Sequence, residues 1–136
     1  MKEFDNKGNM IKEILTDGTV YEYDANGNMT KEIDCGEVRE WMFDINDDLV
    51  KETYDGKVYE YEYNVKGNMI KEIRPDGVYE YEYDDKGNMT KEIVFNGMVN
   101  EWVYDDNGSL IKEILPDGTV YEYDTSGNMI ETHALK

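Results

Sequence analysis

The chain has little of what chemistry usually needs. Its 136 residues include one Cys, one His and two Pro. A lone Cys35, in the turn Asp34-Cys35-Gly36, forms no internal disulfide and supplies no redox pair. His133 stands in the tail with no second His or paired Cys, so neither a metal-ligand set nor a nucleophile–base pair is present, and we expect no catalytic residues, no metal and no cofactor. We read His133 as a solvated tail residue. Every Gly belongs to a turn, which leaves no phosphate-cradling loop. Long apolar runs are missing, so no helix spans a membrane, and the start Met1-Lys2-Glu3-Phe4-Asp5 lacks the basic and apolar regions of a signal peptide. Basic residues are scarce: 14 against 32 acidic, a net charge of -18. That field repels nucleic acid and anionic lipid, keeps the chain soluble and favours cationic partners.

What is abundant is repetition. Gly8-Asn9-Met10 returns as Gly27-Asn28-Met29, Asp47-Asp48-Leu49, Gly67-Asn68-Met69, Gly87-Asn88-Met89, Gly108-Ser109-Leu110 and Gly127-Asn128-Met129, at intervals of 19, 20, 20, 20, 21 and 19 residues. A fixed period near 20 over the whole length means one supersecondary unit stacked on copies of itself. We expect one repeat domain, 1–136, of six or seven copies.

Within a copy, runs such as Tyr59 to Tyr63 and Asn68 to Ile73 alternate with period 2 between Gly, Asp and Asn turn signals, which reads as a β-hairpin. The fold expected is all-β: an antiparallel meander of about 12 strands, built from repeated ~20-residue hairpins into a curved open ribbon. Asp-x-x-Gly turns such as Asp84-Asp85-Lys86-Gly87 suit a type I turn with a Gly bulge. Taking the Arg74 to Gly77 turn as the same kind, and Asp17-Gly18 as a two-residue turn pairing Ile14 with Tyr21, gives a definite register. Tyr61 then faces Lys71 and Lys71 faces Tyr81, beside a second ladder of Tyr63, Met69 and Tyr83. Of the 17 aromatics (Tyr 12, Phe 3, Trp 2), all but Tyr54 and Phe95 share this face. Glu22, Glu60, Glu62, Glu72, Glu80, Glu82, Glu92, Glu113 and Glu122 take the opposite, wet one. The aromatic face is expected to be covered, by curling or by a second copy.

These residues resemble the YD repeat of the RHS family of bacterial polymorphic toxins. The signature runs through Pro116-Asp117-Gly118-Thr119-Val120-Tyr121-Glu122-Tyr123-Asp124-Thr125-Ser126-Gly127-Asn128-Met129, and recurs as Tyr21-Glu22-Tyr23-Asp24 and Tyr81-Glu82-Tyr83-Asp84. Two copies, Trp41-Met42-Phe43-Asp44 and Glu101-Trp102-Val103-Tyr104, look nearer to variant MORN repeats. The resemblance implies a long β-ribbon, which in large members spirals into a shell around a toxin domain, and a secreted or cell-surface setting.

The function expected is a non-enzymatic structural or interaction module. Its candidate binding residues are Tyr21, Tyr23, Trp41, Tyr61, Lys71, Tyr81, Tyr83 and Trp102, for a protein or glycan partner, with homodimerisation through the aromatic face or the edge strands. The alternative is an acidic immunity protein that covers the basic site of a toxin; a consensus-like repeat without a natural partner is a third. Asp44-Ile45-Asn46-Asp47-Asp48 mimics the first half of a calcium loop, but Leu49 stands where Gly is required.

Overall fold

The computed structural model describes residues 1–134. Their contacts divide the chain into two compact units, Met1–Tyr61 and Glu62–Lys136. The first holds β1 (Lys2–Phe4), β2 (Met10–Ile14), β3 (Val20–Tyr23), β4 (Met29–Asp34), β5 (Glu37–Phe43) and β6 (Leu49–Tyr54). The boundary falls inside β7 (Lys57–Tyr63). The second holds β8 (Met69–Arg74), β9 (Gly77–Tyr83), β10 (Met89–Ile93), β11 (Val99–Tyr104), β12 (Leu110–Ile114), β13 (Val120–Tyr123) and β14 (Met129–His133). The architecture is an all-β antiparallel meander, open at its edges, with each strand beside its sequence neighbours. Fourteen strands rather than about 12 are present among the described residues. His133 closes β14; the reading of its side chain lies outside the described residues.

One end of every hairpin is an Asp- or Asn-led turn. In Asp84–Asn88 the Gly87 N–H donates to the Asp84 carbonyl at 3.1 Å and the Asp84 N–H to the Asn88 carbonyl at 2.9 Å. The Asp84 carboxylate also accepts the N–H groups of Lys86 and Asn88, both at 2.9 Å. This is the expected type I turn with a Gly bulge. Asp47 fills the bulge slot in one copy at φ 64°, a conformation Asp tolerates better than most residues. Its carboxylate accepts the amides of Asn26 and Asn28 from the preceding turn, both at 2.8 Å.

At the other end the expected turn types are reversed. Leu15–Thr19 is a bulged turn, not a two-residue one: Gly18 N–H donates to Leu15 and Leu15 N–H to Thr19, so Ile14 pairs with Val20 rather than Tyr21. Arg74-Pro75-Asp76-Gly77 is the two-residue turn, with Arg74 opposite Gly77. Asp34–Glu37 and Tyr54–Lys57 are also two-residue turns, and positive φ at Cys35 and Gly36 and at Asp55 and Gly56 makes them type I′. The spacing follows from this. Intervals of 20 carry two-residue turns, while the odd intervals carry bulged turns whose extra residue restores the facing of the strands.

A second bulge, next to the Asp-led turn, also departs from the expected register. Tyr83 pairs with Met89, but Lys91 then pairs with Glu82 and Glu92 with Tyr81, so Thr90 is the extra residue. Unit 1 repeats this: Phe43 pairs with Leu49, Met42 with Lys51 and Trp41 with Glu52. One additional residue flips every side chain after it to the other face.

Candidate functional site

The bulge decides what the two faces carry. In unit 2, Tyr79, Tyr81 and Tyr83 share a face with Met89, Glu72 and Glu92. Trp102 and Tyr121 share one with Glu113. In unit 1, Tyr21 lies between Glu13 and Glu32, and Trp41 and Tyr59 flank Glu52. Tyr54, expected off this face, joins it opposite Arg39, and the Phe95 ring lies against Tyr79, tilted by 48° with ring centroids 6.0 Å apart. The aromatic face is therefore interleaved with carboxylates.

Lys71 does not belong to it. It pairs with Glu80 and reaches Glu62 at 3.6 Å, on the face opposite Tyr79 and Tyr81, so the tyrosine–lysine ladder does not form. Glu72, Glu92 and Glu113 move the other way, onto the aromatic face. What stands on the lysine face is a set of exposed ion pairs: Lys12–Glu22, Lys31–Glu40 and Lys51–Glu60 in unit 1, Lys71–Glu62 and Lys91–Glu82 in unit 2. Such pairs contribute about 0–1 kcal/mol each. Met42 and Val103 replace the face's Glu in the two Trp copies, opposite Lys51 and Lys112.

The carboxylates of the aromatic face are drier and better bonded. Side-chain exposure is 13% for Glu72 and 22% for Glu32, against 62% for Glu82 on the other face. Tyr61 donates its hydroxyl to Glu52 at 2.8 Å, Tyr81 to Glu72 at 3.3 Å, Tyr123 to Glu113 at 3.3 Å, and the Trp102 indole N–H to Glu113 at 3.2 Å. Asn100 donates to Glu92 at 3.2 Å. Cations seat there too. The Arg74 guanidinium lies 4.0 Å from the Tyr79 centroid and donates to Glu72 at 2.7 Å. Arg39 lies 4.6 Å from the Tyr54 centroid and 3.6 Å from Glu32. Burial, then the Glu72 charge, pushes the Tyr81 hydroxyl pKa up, and burial does the same for Tyr83.

Of the candidate binding residues, Tyr21, Tyr23, Trp41 and Tyr61 lie in unit 1 and Tyr81, Tyr83 and Trp102 in unit 2. Each is half-buried. The expectation of a covered aromatic face is not met within either unit: Tyr79 is the one buried hydrophobic residue among those described, at 8% exposure, because a single layer has nothing packed upon it. The glutamates were missed although Lys-Glu followed by Ile or Thr recurs six times; the signal was visible, but one unseen bulge residue assigned it to the wrong side. In the calcium-like segment Asp44 accepts the N–H groups of Asn46 and Asp48, and Asp47 the side-chain amides of Asn26 and Asn28.

Among solved structures, the crystal structure of TcdB2-TccC3-Cdc42 is similar over 93% of this chain and 8% of its own, with a TM-score of 0.62 and 19% identity. The crystal structure of TcdB2-TccC3 gives 0.59 at 18% identity over 93% of this chain and 8% of that one. The Photorhabdus luminescens Tc holotoxin pore gives 0.58 at 17% identity, over 97% and 9%. The chain thus spans under a tenth of the length of these structures, and the likeness is one of fold. No curated protein matches it. The family model "Teneurin YD-shell" matches residues 42–134, a span that includes the departing copy around Trp102. A β-hairpin repeat in a single open sheet and a family match over most of its length agree: the chain belongs to the teneurin YD-shell family, as a YD/RHS-type repeat module.

Proposed function

We propose that the chain is a non-catalytic length of shell wall whose aromatic and carboxylate face receives a polypeptide. One observation carries the reading: half-buried Tyr and Trp side chains stand beside carboxylates already bonded within the same sheet, as in Tyr81–Glu72 and Trp102–Glu113. Such a face is pre-organised and rich in aromatic area, which suits contact with protein surface. The opposite face, an array of hydrated ion pairs, suits solvent.

Tryptophan emission provides the test, since both Trp residues, Trp41 and Trp102, stand on the aromatic face. Titration with a reduced, unfolded basic polypeptide shifts the emission to the blue, while a panel of neutral oligosaccharides leaves it unchanged. The reverse pattern makes the face a glycan platform and overturns the proposal.

A further inference from the structure

Arg74 shows what the carboxylate–aromatic arrangement binds. Its guanidinium lies over the Tyr79 ring and is held by Glu72, which also accepts the Tyr81 hydroxyl. Glu113 repeats this arrangement in the same unit. Tyr121 is its cross-strand partner as Tyr79 is of Glu72, and Tyr123 donates to it as Tyr81 does to Glu72, both at 3.3 Å. Trp102 adds a second ring, with its indole N–H on the other carboxylate oxygen at 3.2 Å. The occupant differs. The residue after Ile73 is Arg74, whereas the residue after Ile114 is Leu115. Among the described residues Glu113 therefore holds neutral donors in place of a cation.

We propose that Glu113, Trp102, Tyr121 and Tyr123 form a receptor for an arginine side chain of the bound polypeptide, the place that Arg74 fills for itself at Glu72. An ionised carboxylate accepts about four hydrogen bonds, and here one neutral donor bonds each oxygen, which leaves capacity for a guanidinium fork. Aromatic rings beside that position attract the cation's face. Arginine meets both demands at once; an ammonium is a point charge without the planar fork. The net charge of -18 draws such a ligand in. The source of the arginine rests on the wall reading above, but the site does not.

The experiment follows the indole N–H resonance of Trp102, one of two Trp in the chain, during titration with N-acetylarginine amide. The neutral isostere N-acetylcitrulline amide and tetramethylammonium are the comparisons. A single site of this kind saturates on the order of millimolar, and Glu113→Gln weakens it about tenfold, the equivalent of one charge-assisted hydrogen bond. Leu115→Arg supplies an internal occupant, so that the Trp102 signal starts displaced and no longer responds. Equal responses to arginine and citrulline, a stronger response to tetramethylammonium, or an unchanged response in a folded Glu113→Gln chain overturns the proposal. Should unfolded polypeptide still shift Trp emission while arginine amide moves nothing, the receptor fails and the wall reading stands.

Discussion

At the scale of residues, the turn aspartates do the work that a core does elsewhere. Hydrogen bonds from the side chain and then the backbone of Asn88 hold the Asp84 carboxyl below its ordinary value of 3.8, and Asp5 is lowered the same way by Asn9. A group with a depressed folded pKa adds stability above its unfolded value and loses it as pH falls through the folded one. We therefore expect Asp84→Ala to melt below the parent at pH 7, with the gap closing in acid below the aspartate range. Asn64 accepts the N–H groups of Lys66 and Asn68 at 2.9 and 3.0 Å in an uncharged version of the same turn. Asp84→Asn should accordingly keep most of the stability, with less dependence on pH; thermal melts across pH check both. The tyrosines work in the opposite sense. Burial raises Tyr81, Tyr83 and Tyr104 above their ordinary 10.0, so the stability they add is present below that value and lost as pH rises through the folded pKa. Tyrosinate absorbance and loss of sheet signal should then rise together in alkaline titration.

At the scale of elements, the hairpins show what could and could not be read in advance. Repeat period, antiparallel meander and the Asp-led turns were legible, because Asp, Asn and Gly at fixed offsets have a local mechanism. The bulge at Thr90 was not, since no residue type there demands it: its equivalents are Ile11, Thr30, Val50, Ile111 and Ile130. The turn types were exchanged for a related reason. Asp-Gly occurs in both Asp17-Gly18, which is bulged, and Asp55-Gly56, which is not, and only the odd or even interval to the next copy tells them apart. Gly77 tests the packing of one such turn. Its φ is 151°, and a Cβ there would meet the Phe95 Cβ at 2.6 Å. Gly77→Ala should therefore cost about 1–3 kcal/mol in urea unfolding, the range of an overpacked site, with part regained when Phe95→Gly is added.

At the scale of the molecule, stability is summed over neighbouring copies rather than drawn from a common centre, since no described side chain is fully buried. Removing residues 111–136 should leave the amide resonances of β1 to β6 in place, and their wholesale loss would contradict stacked, locally held units. The charge of -18 opposes any compact arrangement, so added salt should raise the melting temperature as screening shortens the reach of repulsion. Everything proposed for the aromatic face depends on the side to which the bulge turns each Lys-Glu pair. Cross-strand nuclear Overhauser effects from the Tyr81 ring measure this directly. The account predicts contacts to the Glu72 and Glu92 side chains and none to Lys71 or Lys91; contacts to those lysines instead would contradict it.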